Sequence, residues 1–379
     1  MRKILFVTER RADYSRFKPI IEKIIQDPDL DYYLIVTGIH LLERYGRTVD
    51  FIESDGVKIS SEIPMFEDGA PDTGAEMARA MARFMLRITE ELERLKPDIV
   101  LSGFDIGANF AVAVAAAHMN IPVGHLQGGE VTGSIDESLR HGISKFAHFH
   151  LPANDDAARR LARMGEKPEY IFPVGCPSLD ALLNAPEISR EELEALTGLN
   201  LGEKFVIIIQ HTVTTEVDEV PAQIRETLHA VKELGIPALL LYPNNDAGGE
   251  AIIREIEQTN IRRMRTLSIE EYGNLLKYAG ALVGNSSSGI HETASFRVPT
   301  VNIGNRQTGR LQPGNVINVP NVKEDIRQAI ETALYDEAFL EKVRNVVNPY
   351  GDGKSSEKVI SVLKTIPLDS RLIKKNFVD

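Results

Sequence analysis

Residues 97–126, PDIVLSGFDIGANFAVAVAAAHMNIPVGHL, have the pattern of a strand, a helix and a second strand. Two short apolar runs, at 99–102 and 123–126, flank a longer apolar stretch at 110–119, and a proline-containing turn precedes each short run. Strands that are apolar throughout are typical of a sheet covered on both faces. A helix between two such strands predicts a βαβ unit on a parallel sheet.

The same alternation continues on both sides of this stretch. Further strands are predicted at 4–8, 32–37, 170–174, 205–209, 238–242, 281–284 and 300–303. Further helices are predicted at 17–26, 76–95, 224–234, 252–258 and 269–278. A weakly periodic acidic segment with Pro177 and Pro186 separates two such series. We therefore predict an α/β fold of two Rossmann-like domains, at 1–176 and 177–345, which face each other across a central cleft.

Composition narrows the class of protein. The chain has 379 residues, a formal net charge of −12 and 43% hydrophobic residues, which is typical of a soluble globular protein. The negative charge argues against a nucleic-acid partner. The longest apolar run, at 110–117, is far shorter than the roughly 20 residues that cross a bilayer. The single cysteine, Cys176, excludes an internal disulfide. We expect a cytoplasmic protein with neither a nucleic-acid nor a membrane partner.

Two strand-to-helix junctions have residues suited to a phosphate group. The strongest signal is Gly284-Asn-Ser-Ser-Ser-Gly289, where small hydroxyl residues and glycines open a helix. Glu292 follows one turn later, within reach of a ribose, and Arg306 follows the next predicted strand. The first junction, Thr8-Glu-Arg-Arg-Ala-Asp-Tyr-Ser15, contains two arginines that either bind phosphate or are surface charges. It lacks the G-x-G-x-x-G pattern of dinucleotide sites.

Carboxylates concentrate after two strands of the first series. Glu130, Asp136 and Arg140 lie within an eighteen-residue stretch, 124–141, that also contains two histidines and several glycines. The alternative interpretation is an Asp136–Arg140 ion pair on a helix surface, worth under about 1 kcal/mol. Asp105, after another strand, is either an acid or base facing the cleft or the N-cap of the next helix. His211, after a strand of the second series, is suited to donate to a phosphate oxygen or to shuttle a proton.

Three histidines near the carboxylates, His141, His148 and His150, raise the question of a metal site. No acidic ligand follows them at a familiar spacing, and His148 and His150 belong to a strand-like run. We predict that they are core or capping residues, and we expect no metal.

These motifs together resemble those of the UDP-N-acetylglucosamine 2-epimerase family. The similarity extends over essentially the whole chain and includes Arg11-Ala-Asp-Tyr, Thr37-Gly-Ile-His-Leu, Val174-Gly-Cys-Pro-Ser, Pro243-Asn-Asn-Asp-Ala-Gly and Gly304-Asn-Arg-Gln-Thr-Gly-Arg. The resemblance implies a GT-B-like fold whose C-terminal helical segment, 346–379, returns to the first domain. It also implies a homodimer or homotetramer and no cofactor.

The resemblance also assigns roles to individual residues. Asp105, Glu130 and Asp136 match the carboxylates that carry out the chemistry, and we group His211 with them. The positions that match UDP-sugar binding, to which we add Arg140, are Arg11, Ser15, Asn244, Ser286, Ser287, Glu292 and Arg306. One position departs from the family, because Ile106 follows Asp105 where relatives have arginine. Either a basic contact is missing here or Arg10 supplies it.

Two segments, Gly128-Gly-Glu-Val-Thr and Gln210-His-Thr-Val-Thr-Thr, resemble the hydrolysing branch of the family. That branch converts UDP-GlcNAc and water to UDP and N-acetylmannosamine, by anti elimination to 2-acetamidoglucal followed by hydration, in sialic-acid-type biosynthesis. Two alternatives stay open. One is a hydrolysing enzyme for UDP-2,4-diacetamido-2,4,6-trideoxyglucose of a legionaminic-acid pathway, and the other is a non-hydrolysing UDP-GlcNAc 2-epimerase.

Overall fold

A computed structural model describes residues 1–67 and 69–378, so the last residue of the predicted C-terminal segment lies outside it. In the first half the strands are β1 Arg2–Thr8, β2 Leu30–Thr37, β3 Ser61–Ile63, β4 Ile99–Gly103, β5 Val123–Leu126 and β6 Phe149–Leu151. The α-helices of this half are α1 Arg11–Ile25, α2 Val49–Ser54, α3 Gly74–Leu95, α4 Gly107–His118, α5 Ile135–Phe146 and α6 Asp155–Arg163.

The second half repeats this arrangement after two connecting helices, α7 Pro177–Leu183 and α8 Arg190–Thr197. Its strands are β7 Val206–Ile209, β8 Ala238–Leu241, β9 Arg262–Met264, β10 Ala281–Gly284, β11 Thr300–Ile303 and β12 Val316–Val319. Its helices are α9 Val220–Leu234, α10 Gly249–Glu257, α11 Ile269–Leu276, α12 Ser288–His291, α13 Lys323–Tyr335 and α14 Glu337–Arg344, followed by α15 Ser355–Thr365 and α16 Ser370–Ile373.

Across the described residues the strands form two parallel sheets with the same topology. The order is β3-β2-β1-β4-β5-β6 in the first sheet and β9-β8-β7-β10-β11-β12 in the second. This is the Rossmann order, and it confirms the predicted fold class. The order in which strands are added to the sheet reverses between β1 and β4, and again between β7 and β10. A crevice forms at each reversal, at the carboxyl ends of the strands, where open α/β sheets bind their ligands.

Apolar side chains cover both faces of each sheet. In the first sheet, β4 is buried along its whole length. One cluster of buried residues packs Ile4 and Phe6 against Phe17 of α1, while a second packs Leu5 and Val7 against α3 and α4. The second sheet has two corresponding clusters. The alternate residues of β1 therefore enter different cores, which is why its sequence is apolar throughout.

The end of the chain packs against the first half. Val359 and Leu363 of α15 are fully buried in the same cluster as Ile4 and Phe17. Arg2 Nη1 donates to the carbonyl oxygens of Leu363 and Ile366 at 2.8 and 2.9 Å. The domain boundaries themselves stay a prediction.

The predicted strand at 170–174 is wrong. The sixth strand of the first sheet is β6, which includes His150, and Ile171 makes only an isolated bridge to His150. Phe172 and Val174 donate their N–H groups to the carbonyl oxygens of His150 and Pro152 at 2.8 and 3.0 Å, so the segment lies beside β6 without forming a continuous ladder. Pro173 between them has no N–H to offer on the outer side, which is tolerated only at the edge of a sheet.

Candidate active site

Two adjoining cavities lie between the halves of the molecule, at the carboxyl ends of the strands. We call the first the serine cavity, because Ser286 and Ser287 line it, and its volume is about 180 Å³. The second, the carboxylate cavity, is lined by Asp105, Glu130 and Asp136 and has a volume of about 70 Å³. The residues that line both cavities, and so join them, are Ala12, Arg16, Asn244 and Ser287.

Every predicted site residue lines at least one of these cavities. Those of the serine cavity are Arg11, Ser15, His211, Asn244, Ser286, Ser287 and Glu292. Those of the carboxylate cavity are Asp105, Glu130, Asp136, Arg140, Asn244, Ser287 and Arg306. The strand-end positions therefore come together as the topology requires.

The loop after β10 supplies the serines. Gly284 has a φ of 130°, and a Cβ there would lie 2.1 Å from the carbonyl oxygen of Ile209, so only glycine fits this turn. The side chain of Asn285 then bonds to the backbone of His211 on both sides, accepting from its N–H at 2.7 Å and donating to its carbonyl at 2.9 Å. These two hydrogen bonds hold the loop after β10 against the loop after β7.

His211 is a neutral hydrogen-bond donor. Burial, helped by the charge of Arg306, lowers the pKa of His211 to about 3. Its Nδ1 accepts from the N–H of Asn244 at 3.2 Å, so the proton lies on Nε2. This favours hydrogen bonding over proton shuttling near neutral pH.

Arg11 supplies a buried cation at the start of α1. Burial lowers the pKa of Arg11 to about 10, so the side chain is still charged at neutral pH. Its Nη1 atom is buried and makes no hydrogen bond to any residue the structure describes. A buried donor without an acceptor is typical of a site for an anion.

The three carboxylates meet cations from the other half of the molecule. Asp136 faces Arg306 at 3.3 Å. Glu130 accepts from His291 Nε2 at 2.9 Å and lies 3.4 Å from Arg310 Nε. The alternative interpretations of the sequence do not hold: Arg140 pairs with Asp105 instead of Asp136, and Asp105 is not the N-cap of α4.

The environments of the carboxylates push their pKa values apart. Burial raises the pKa of Glu130, but His291 and the guanidinium of Arg310 outweigh it and hold the pKa well below its usual range. The pKa of Asp105 is also lowered, because Arg140 and Arg310 outweigh its burial. Burial and the nearby charge of Asp105 raise the pKa of Asp136. Such a separation is typical of an acid and a base that work together.

A buried histidine holds Asp105 in place. Phe104, which precedes Asp105, has a φ of 67°, a left-handed conformation that is uncommon without glycine. His125 Nε2 donates to the carbonyl oxygen of Phe104 at 3.0 Å, and Nδ1 of the same ring lies 2.9 Å from Ser144 Oγ on α5. The strained turn is thereby tied to the helix that carries Asp136.

Several residues of the carboxylate cavity were absent from the predicted site. Besides Arg10, they include Arg16, Gln127, His291 and Arg310. Arg310 is the last residue of the quoted segment 304–310, and His291 lies two residues after the quoted segment 284–289. Their position in or next to these motifs was the only sequence signal that could have identified them. Ile106 lines the cavity and is 5% exposed, and Arg10, Arg16, Arg140, Arg306 and Arg310 line the same cavity. Arg10 itself pairs with Asp246 at 3.2 Å, across the cleft.

The described part of the chain has neither a cluster of metal-ligating side chains nor a helix suited to a membrane. In 1–67 and 69–378, no group of three or more His, Cys, Asp or Glu side chains is placed to hold a metal ion. No helix in these ranges combines the length and the apolar character that crossing a membrane requires.

Comparison with known proteins identifies the family. A family model described as UDP-N-acetylglucosamine 2-epimerase matches residues 22–364. A Legionella pneumophila protein named UDP-N,N'-diacetylbacillosamine 2-epimerase (hydrolyzing) is 39% identical, over 99% of both chains. A Neisseria meningitidis protein named UDP-N-acetylglucosamine 2-epimerase is 32% identical, over 100% of this chain and 99% of its own. The crystal structure of a UDP-GlcNAc 2-epimerase from Neisseria meningitidis bound to UDP-GlcNAc has the same fold, with a TM-score of 0.82 at 18% identity over 96% of this chain and 99% of that one. The chain described here belongs to the UDP-N-acetylglucosamine 2-epimerase family.

Proposed function

We propose that this protein is a hydrolysing 2-epimerase of UDP-2-acetamido sugars. The observation that carries the proposal is the carboxylate cavity, where Asp136 has a raised pKa beside Asp105 and Glu130, whose pKa values are lowered. A proton donor and proton acceptors in one buried site suit a reaction that removes one proton from a carbon and returns another.

The serine cavity suits the nucleotide. Arg11 offers a buried N–H group that meets no acceptor among the described residues, and neutral His211 offers its Nε2–H. Ser286 and Ser287 add hydroxyl donors at the same end of the sheet. These donors would stabilise the charge that builds up on a departing diphosphate. The cavity adjoins the carboxylate cavity and shares four lining residues with it, as suits a nucleotide joined to a sugar.

The reaction then proceeds in two halves. In the first, UDP leaves C1 while Asp105 takes the C2 proton, and the C2–H electrons form the C1=C2 double bond of the glycal. In the second, Asp136 gives a proton to C2 from the opposite face, and water adds to C1. Because one carboxylate removes the proton from one face of C2 and the other returns a proton to the opposite face, the configuration at C2 is inverted.

Two substrates are candidates. UDP-N-acetylglucosamine is the first, and its product is N-acetylmannosamine. UDP-2,4-diacetamido-2,4,6-trideoxyglucose is the second, favoured by the apolar side chains of Phe104 and Ile106, both 5% exposed, in the carboxylate cavity. A 6-deoxy sugar with a 4-acetamido methyl group presents more apolar surface to such a wall. The Legionella relative, at 39% identity, carries the name of that activity.

Proton NMR in heavy water tests the proposal. Purified protein is incubated with each UDP-sugar, and we expect UDP together with the free C2-inverted sugar carrying deuterium at C2. The sugar that is turned over identifies the substrate. Accumulation of a UDP-linked epimer without free sugar would show a non-hydrolysing enzyme. No reaction with either sugar, in a preparation that binds UDP by calorimetry, would contradict the proposed function.

A further inference from the structure

Gln127 has a buried carbonyl oxygen with no hydrogen-bond partner among the residues described. The residue is 3% exposed and lines the carboxylate cavity. Its amide nitrogen donates to Glu130 Oε1 at 3.4 Å. Because a carboxylate only accepts, this contact fixes the amide with its nitrogen toward Glu130 and leaves Oε1 for another donor. A buried acceptor beside a cavity therefore awaits a donor within the cavity.

The backbone holds this side chain in place. Gln127 directly follows β5 and has a φ of 57°, a left-handed conformation that is uncommon for a side chain of this kind. Its N–H donates to the carbonyl oxygen of Leu151 at 2.9 Å, which ties the strained residue to the end of β6. Strain that the surrounding structure maintains is concentrated at functional sites.

We propose that Gln127 and Glu130 together hold the water molecule that adds to the glycal. This inference rests on the proposed function. Gln127 Oε1 accepts one hydrogen of the water and Glu130 accepts the other, so a lone pair of the water oxygen is left to face C1. Glu130 keeps acceptor sites for this purpose, since its two oxygens offer about four lone-pair directions and only some of them face His291, Arg310 and Gln127.

The hydration step balances with the groups present. The water oxygen forms a bond to C1 while Glu130 takes one of its protons. The electron pair of the C1=C2 double bond forms a new C2–H bond with the proton of Asp136. The product is the free sugar as its hemiacetal, with Glu130 protonated and Asp136 ionised. Asp105, which holds the proton taken from C2, and Glu130 then each lose a proton to solvent while Asp136 regains one, and no oxidant or reductant is needed.

Substitution of Gln127 separates hydration from elimination. Gln127→Met removes the amide but keeps the length of the side chain. Gln127→Asn keeps an amide, draws it back from the cavity, and suits the left-handed backbone better than most residues. Gln223→Met is the matched control, because Gln223 is also buried and also donates to a glutamate, Glu216, at 2.8 Å, but lines neither cavity.

Two rates are measured by proton NMR. The first is the release of UDP from the UDP-sugar that the wild type converts. The second is the hydration of the corresponding glycal, supplied on its own. We expect Gln127→Met to hydrate the glycal about 10²-fold more slowly than the wild type. Its UDP affinity should be unchanged by calorimetry, and glycal should accumulate during turnover of the UDP-sugar. Gln127→Asn should show the same pattern in milder form, and Gln223→Met should match the wild type.

Two results would overturn the role of Gln127. One is hydration of glycal at the wild-type rate by both Gln127 variants. The other is an equal loss of UDP release and hydration, which would indicate a general structural effect. A wild type that binds UDP but converts no UDP-sugar would instead overturn the proposed function, and the role of Gln127 with it.

Discussion

At the scale of single residues, the raised pKa of Asp136 makes a prediction with a definite sign. Burial and the charge of Asp105 favour the protonated form, so activity that needs this proton should fall as the pH rises through the pKa of Asp136. Asp136→Asn cannot give a proton, and we expect turnover to fall roughly 10²–10⁴-fold. A carboxyl group whose pKa is raised on folding stabilises the folded state at low pH, and this contribution is lost as the pH rises through the folded-state pKa, because the fold disfavours the ionised form. Asparagine does not ionise, so it carries no such penalty at high pH. The variant should therefore be at least as stable as the wild type at pH 8, as measured by thermal unfolding.

The neighbouring residue provides the control for this prediction. Glu137 lies on the same helix, lines neither cavity and accepts from the N–H of Thr132 at 2.8 Å, a contact that glutamine can also make. Glu137→Gln should keep near wild-type turnover. Wild-type activity in Asp136→Asn would show that another group supplies the proton.

Strand-end positions could be predicted from the sequence, but the partners of the charged side chains could not. Spacing along α5 suggested that Arg140 pairs with Asp136, four residues away. In the structure the guanidinium reaches Asp105 on the neighbouring strand-end loop, because β4 and β5 are adjacent in the sheet. Gln127 escaped prediction for a similar reason, since its orientation depends on a backbone angle and on a contact with Glu130.

At the scale of elements, α5 carries Asp136 at its start and is capped at its end by the C-terminal tail. Lys375 Nζ donates to the carbonyl oxygens of Ser144 and Ala147 at 2.8 and 2.7 Å and pairs with Glu166 at 2.5 Å. A cation at a helix C-terminus stabilises it, and hydrogen bonds from charged donors contribute about 1.5–3 kcal/mol. We expect Lys375→Met to lower the free energy of unfolding by about that amount in urea denaturation. Lys374→Met, at the exposed neighbouring position, should have little effect, and equal losses in both variants would contradict the capping role.

The elements themselves were predictable where they are buried on both sides. The apolar runs at β5, β10 and β11 mark these strands with the bounds that the structure has. The edge strands β3, β9 and β12 were missed because they are short and partly exposed, as at Arg262 and Arg263 in β9. With one solvated side, such strands have no continuous apolar run to reveal them.

At the scale of the whole molecule, the carboxylate site is complete only when both halves are in contact. The N–H of Gly133 donates to the carbonyl oxygen of Arg306 at 3.0 Å, and a Cβ on Gly133 would lie 2.2 Å from the carbonyl oxygen of Asn305. The backbones of the two halves are therefore in direct contact beside the carboxylates. Arg310 of the second half then lies 3.4 Å from Glu130 and 3.8 Å from Asp105 of the first. The ionisation of Glu130 and Asp105 in the first half thus depends on Arg310, a cation of the second half.

Removing that cation should move the pH profile. Without Arg310 the pKa values of Glu130 and Asp105 rise toward those that burial alone would set, so the acid limb of kcat should shift to higher pH in Arg310→Met. Arg310→Lys keeps the charge and should keep the limb close to the wild-type position, even where loss of the guanidinium hydrogen bonds lowers the rate. Lys18→Met is the matched control, because Lys18 also reaches across the cleft, to Glu270 at 2.7 Å, but lines neither cavity. If the acid limb moved equally in Arg310→Met and Lys18→Met, contact between the halves in general, and not the charge of Arg310, would set the ionisation of the carboxylates.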